Sequence, residues 1–338
     1  MRSVNHRRPR DQRGGIALMA AISMVAVCAA GAVAVDLGKS WSDRRELITG
    51  TDAAALAAAQ RYAIGQSGCV ASTEALVSTN APGATMTGCS ATGSARSGSV
   101  TVDGSQSVSY VFAPVIGKTN GQVEASTTAK WGIPLSLSGL RPFGLCVDSS
   151  PQITALVRNG VMPTGNITIT YGKSQPAACG GSVPGNWGMI DFNGGSNSNA
   201  ETNEWVRNGY PDPVTAGTLG APCAAEPTAC YPGDTGAYSN SLSASMSTLV
   251  ASGEAFALPV FDSATGNGSN SSFHLVAFVF IKLIDFRTTG SQATRFLTIR
   301  VSSGIAQGTC CVTNPGVIDT GLRVVKLCAT DATDKTAC

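Results

Sequence analysis

Two histidines occur in the 338 residues, His6 and His274. A Ser-His-Asp relay needs an imidazole that takes the nucleophile's proton while a carboxylate orients its other nitrogen. His6 precedes a long apolar segment, which leaves His274 as the candidate. No Gly-x-Ser-x-Gly elbow accompanies it. It stands just after the polar run 266–272 and reads as a histidine at a strand edge. Oxygen-bearing side chains alternate at Asp191, Asn193, Asn197, Asn199 and Glu201, with Gly195 among them, in the manner of a calcium loop. Such a loop wants Gly at its sixth position and Glu at its twelfth; here stand Ser196 and Thr202. A polar Gly/Asn turn region is the better reading, because these residues tolerate left-handed backbone. Trp187 and Trp205 present ring faces that suit either sugar stacking or the cover of a small core, and the core is favoured. Glycines never fall in the order of a phosphate loop or dinucleotide fold. The residues therefore nominate no catalytic group, no metal site and no cofactor.

The eleven cysteines carry a different chemistry. Cys28 lies within the apolar segment and the other ten follow it. An even number in an exported, loop-rich region argues for disulfides, and no CxxC clusters ligands for zinc. Cys69 with Cys89, and Cys223 with Cys230, flank short polar stretches whose closure costs little chain entropy. Pairing among Cys146, Cys179, Cys310, Cys311, Cys328 and Cys338 stays open, with adjacent Cys310 and Cys311 expected to find different partners.

These groups must be positioned by a chain with an unusual start. Charged residues are only 13% of the total, and the net charge is +2. Arg2, Arg7, Arg8, Arg10 and Arg13 face one acid, Asp11, within residues 1–13; the remainder is near neutral. That balance excludes a disordered charged tail and gives no basic surface for nucleic acid. Residues 16–35 carry no charge, and as a helix they span about 30 Å, the thickness of a bilayer core. The arginine bias places the N-terminus in the cytoplasm and the chain after Asp36 outside. A signal peptide cut after Ala34 is the alternative. Against it, Leu37, Trp41, Ile48, Ala55, Ala59 and Tyr62 recur at spacings of three, four and seven, as if the apolar helix simply continued as an amphipathic one. That stripe must cover either the protein's own fold or a partner. Ala26, Ala30 and Ala34 repeat small residues every four positions, which permits self-association in a membrane.

The segments Arg13-Gly14-Gly15, Val35-Asp36-Leu37-Gly38, Arg44-Arg45-Glu46-Leu47 and Thr51-Asp52-Ala53-Ala54-Ala55-Leu56-Ala57-Ala58-Ala59 together resemble the N-terminal region of TadE/TadG-like proteins of tight adherence (Flp) pilus assembly. The resemblance continues more weakly through 111–117 and 123–129, about residues 13–132 in all. It implies a bitopic envelope protein with pilus-assembly partners and no catalysis. Prepilin-like members are cut after Gly and carry Glu five residues later; here those positions are Met19 and Ala20. The resemblance is thus to the uncleaved, TadG-like type.

Beyond residue 64 the texture is Gly, Ser, Thr, Asn and Pro with short β-prone runs. The run 274–286 reads as a buried central strand, and 74–79, 200–208 and 241–252 read as helices. The expected fold is α+β. A basic segment (1–13) and a transmembrane anchor (14–35) lead into a TadE/TadG-like module (36–132) and a β-rich, disulfide-bonded extracytoplasmic domain (133–338). The leading functional reading is a membrane-anchored structural component of pilus assembly, with a secreted surface-binding module or adhesin as the alternative.

Overall fold

A computed structural model describes residues 13–170, 188–195, 198–234, 240–266, 270–290, 294–311 and 318–328. Helix α1 runs unbroken over Arg13–Ala63, 51 residues. At 1.5 Å per residue it is about 77 Å long. Among the described residues it is the one helix long and apolar enough to cross a membrane, and its apolar window is uncovered. Gly31 and Gly38 stay helical, and Ala34 lies in mid-helix rather than in an extended, cleavable stretch.

The second half of α1 is packed. Leu47, Gly50, Thr51, Ala54, Ala55, Ala58, Ala59 and Ala63 are buried at spacings of three and four. Of the sequence-predicted stripe, Ala55 and Ala59 are buried and Ile48 and Tyr62 half-buried, whereas Leu37 and Trp41 are 69% and 63% exposed. Small residues line the buried face because backbone comes close to it. A Cβ on Gly68 would lie 2.5 Å from the Tyr62 ring and closer still to the Ala58 carbonyl. Tyr62 in turn stacks on Trp131, with ring centroids 5.5 Å apart.

Four further α-helices follow among the described residues: α2 (Ala71–Asn80), α3 (Pro151–Asn159), α4 (Asn199–Asn208) and α5 (Asn240–Ser252). Ser150 caps α3 by accepting the Ile153 N–H, Pro151 occupies its first turn, and Gly160 at φ 67° ends it. The long strands are β1 (Ala84–Gly93), β2 (Gly98–Ser109) and β3 (Asn120–Gly132). Shorter ones follow at β4 (Ser136–Leu137), β5 (Leu145–Cys146), β6 (Ile167–Thr170), β7 (Val214–Thr215) and β8 (Cys230–Pro232). The chain closes with β9 (Ala255–Thr265), β10 (Ser272–Arg287), β11 (Phe296–Val301), β12 (Gly304–Ile305), β13 (Gly308–Thr309) and β14 (Leu322–Leu327).

Among the described residues the strands form three sheets, ordered β1-β2-β3-β14-β12, β5-β9-β10-β11-β6 with β8 also on β10, and β13-β4-β7. β10 lies between β9 and β11 and is covered on both faces. Val276, Val279, Ile281 and Leu283 join one apolar cluster with α3 and α5 residues, while Phe273, Leu275 and Phe278 join another. Burial on both sides explains why its sequence is continuously apolar rather than alternating.

Two compact units interleave along the chain. One takes residues up to Ala54, Glu74–Cys89 and Val102–Thr127; the other takes Ala55–Thr73, Ser90–Thr101 and Thr128 onward. Cys223 and Cys230 form a disulfide with Cα atoms 5.7 Å apart. Cys69, Cys89, Cys146 and Cys328 are disulfide-bonded as well. Cys310 and Cys311, expected to find different partners, lie with their sulfurs side by side. Cys28 is free and exposed on α1. Cys179, Cys338 and Trp187 lie outside the described residues.

Candidate functional site

The most heavily engaged carboxylate of the first unit is Asp36, the first charge after the apolar stretch. It is only 7% exposed, on a helix whose preceding turns are bare. Its two oxygens accept the backbone N–H groups of Val111 (2.7 Å), Phe112 (3.1 and 3.2 Å) and Ala113 (2.7 Å). Three consecutive amides converge on one carboxylate, as amides converge on an anion at a helix N-terminus. The clamped turn continues as a short 3-10 helix, Ala113–Ile116, closed by Gly117 at φ 84°, where a left-handed backbone is needed.

About four and a half helical turns further along, a second group ties α1 to β3. The Thr127 hydroxyl donates to Asp52 at 2.8 Å and lies 2.9 Å from the Thr51 hydroxyl. Both threonines are fully buried. Gly104 gives the room this contact requires, and Gly50 the room for α2 on the same helix. A Cβ on Gly50 would stand 2.9 Å from the Val77 carbonyl oxygen, and one on Gly104 2.9 Å from Thr51. Asp36 and Asp52 thus hold, in turn, the 111–117 and 123–129 segments through which the family resemblance continues.

His274 is not at an exposed strand edge. It sits near the start of β10, opposite Ser263 of β9 and Cys230 of β8, with its side chain fully buried. Nδ1 is 2.8 Å from Asp262 and Nε2 is 3.2 Å from Glu226. Glu226 also accepts the Thr218 N–H, and Asp262 the Gly220 N–H, each at 2.6 Å. The Thr218 N–H bond, helped by His274, holds the Glu226 carboxyl below its ordinary range. Both ring nitrogens face carboxylates, so neither is directed at a hydroxyl or thiol nucleophile. The geometry is that of a latch: β9, β10 and the Cys223–Cys230 loop meet on one imidazole.

The alternating loop spends its oxygens internally. Asp191 accepts the N–H groups of Asn193 and Gly194, and the Asn193 amide donates to Glu201 at 2.6 Å. Burial pushes the Asp191 carboxyl up, against those two N–H bonds. Asn197 lies outside the described residues, and Asn199 opens α4. Among the described residues no cluster of three His, Cys, Asp or Glu side chains could hold a metal ion. Trp205 is buried against Phe192 and Tyr210, the core-covering role rather than an open ring face. Ala26, Ala30 and Ala34 lie on the uncovered part of α1.

Sequence reasoning passed over Asp36, Asp52, Thr127, Asp262 and Glu226. Asp36 had a local signal, being the first carboxylate beyond 20 uncharged residues. The others act through partners 12 to 75 positions away, which spacing does not reveal. No curated protein and no solved structure matches the chain. Residues 14–61, which include Asp36 and Asp52, match the family described as "Putative Flp pilus-assembly TadE/G-like".

Proposed function

We propose that the protein is a non-catalytic, membrane-anchored component of tight adherence (Flp) pilus assembly, with its N-terminus in the cytoplasm and its β-rich part outside. The observation that carries this reading is the match at 14–61 coinciding with one helix that is bare and apolar at first and packed afterwards. The unbroken helix across Ala34 favours an uncleaved anchor over a released adhesin. Leu37 and Trp41, exposed just past the apolar stretch, are the part of the predicted stripe left for a partner of the assembly apparatus. Apolar side chains of this size stay on a surface at a cost unless something covers them.

The test is recovery of pilus-assembly proteins with the full chain from native membranes. Leu37→Asp with Trp41→Asp is expected to lose those proteins while the chain still accumulates in the membrane. N-terminal sequencing of the extracted protein checks the anchor, because a mature chain starting at Val35 contradicts it. The enzyme reading makes the opposite forecast: a stable, correctly located His274→Ala protein loses function while the Leu37/Trp41 variant keeps it.

A further inference from the structure

The turn held by Asp36 has a composition that water does not favour. Val111 and Phe112 are exposed, and Val115 and Ile116 are 89% and 81% exposed, among the barest large apolar side chains described. The turn lies along the apolar part of α1. Between them runs an open groove of about 810 Å³, walled by Val25, Ala29 and Val33 on the helix and by Phe112, Val115 and Ile116 on the turn. The groove reaches as far back as Ala21, 15 residues before Asp36, or about 22 Å along the helix. Its helix wall is therefore the surface that a bilayer covers.

A loop can enter hydrocarbon only if its backbone donors are satisfied within the protein. Most of the donors of this one meet that demand. Asp36 takes the N–H groups of Val111, Phe112 and Ala113. Pro114 has none. Val115 donates to Phe112, Gly117 to Pro114 and Lys118 to Ala113. Tyr110 donates to Thr119, closing the turn at its base. Lys118 then supplies an ammonium on a long stem, suited to the headgroup level. A turn designed only for water would need neither the carboxylate nor six apolar side chains in a row. A protein partner in the groove would cover the side chains equally well, but it would not account for internal acceptors on the Val111, Phe112, Ala113, Val115, Gly117 and Lys118 amides.

We infer that the Val111–Ile116 turn is a membrane wedge: it inserts into the outer leaflet beside α1, with acyl chains filling the groove and Asp36 capping its amides at the hydrocarbon boundary. This rests on the anchor reading above. The proposal adds a second point of membrane contact, separated from the apolar stretch 16–35 by more than 70 residues of chain.

The experiment uses the full chain in native membranes with the photoreactive residue benzoylphenylalanine at Val115, a position too exposed for the change to disturb packing. The same probe at Ser107, exposed on β2, is the aqueous control. Irradiation is expected to yield a phospholipid-sized mass adduct at 115 and none at 107. Ile116→Asp with Val111→Asp is expected to abolish the adduct at 115. An adduct of protein size, whether a second copy or another chain, overturns the wedge, as does the absence of any adduct at 115 above that at 107. Alkaline extraction separates the two readings. If the chain leaves the membrane, the anchor has failed; if it stays but position 115 captures no lipid, only the wedge has failed.

Discussion

The Cys223–Cys230 disulfide closes the loop that carries Glu226 to His274, so replacing both cysteines by serine tests two contributions at once. The sequence separation is 7, which makes a closed loop of eight residues. The chain-entropy relation gives about 2.5 kcal/mol at 25 °C for a loop of that size. The bond also restrains Glu226, whose carboxylate accepts from Thr218 at 2.6 Å and lies 3.2 Å from the buried His274. Releasing the loop loosens that end of the latch, so the entropic figure is a lower bound. For a folded region of 150–250 residues, 1 kcal/mol moves the midpoint by about 2–4 °C, which gives a drop of roughly 5–10 °C. The assay is thermal unfolding of the detergent-extracted full chain followed by tryptophan fluorescence, because Trp205 sits in the apolar cluster beside β10. Glu226→Gln, with the disulfide intact, reads the latch alone and is expected to give a smaller drop. A double-serine variant that unfolds at the parent midpoint, with the bond proven present in the parent, would refute the argument.

Other substitutions probe the anchor region and the latch. Ala58→Leu forces extra methylenes against the backbone near Gly68 and is expected to destabilise by about 1–3 kcal/mol, whereas Gln60→Leu on the exposed side is near neutral; denaturant midpoints compare them. Thr127→Val keeps shape but removes the donor to Asp52 and a partner of Thr51, an expected loss of about 1–3 kcal/mol in the same measurement. His274→Ala leaves Asp262 buried without its imidazole and is expected to cost on the order of 3 kcal/mol, read as a lower melting midpoint with membrane location unchanged. The Glu226 carboxyl is held below its ordinary value of 4.5. A depressed carboxyl contributes stability that is present above that value and is lost as pH falls through the folded-state one. Melting midpoints should therefore decline below about pH 4.5, and less steeply in Glu226→Gln.

What was legible in the sequence was whatever local patterning encodes. The uncharged stretch, the continuation of its helix, the long buried strand and three of the four later helices all show in runs of neighbouring residues, whereas the short α3 was not read. The packed face of α1 was read only in part. Leu37 and Trp41 draw attention by hydrophobicity, yet the buried line passes through Gly50, Thr51, Ala54 and Ala58, whose value is small size at close approach rather than apolar area. The Asp36 clamp and the His274 latch were not legible, because each joins residues far apart in sequence and their partners are ordinary backbone amides or scattered carboxylates. Composition did suggest that His274 lacked a nucleophile, but not that two carboxylates already held both its nitrogens.

The continuity of α1 has a mechanical consequence. Between Val35 and Leu47 the chain is helical throughout, so the buried face that starts at Leu47 stands a set distance of about 18 Å beyond the apolar stretch. A flexible tether of those twelve residues would sample separations from near contact to roughly 40 Å and would absorb a pull by straightening. Here there is no slack to take up. Tension on the packed half runs straight down the hydrogen-bonded axis, and a turn of the helix at one end rotates the other. The helix is thus a strut, stiff in both pull and twist.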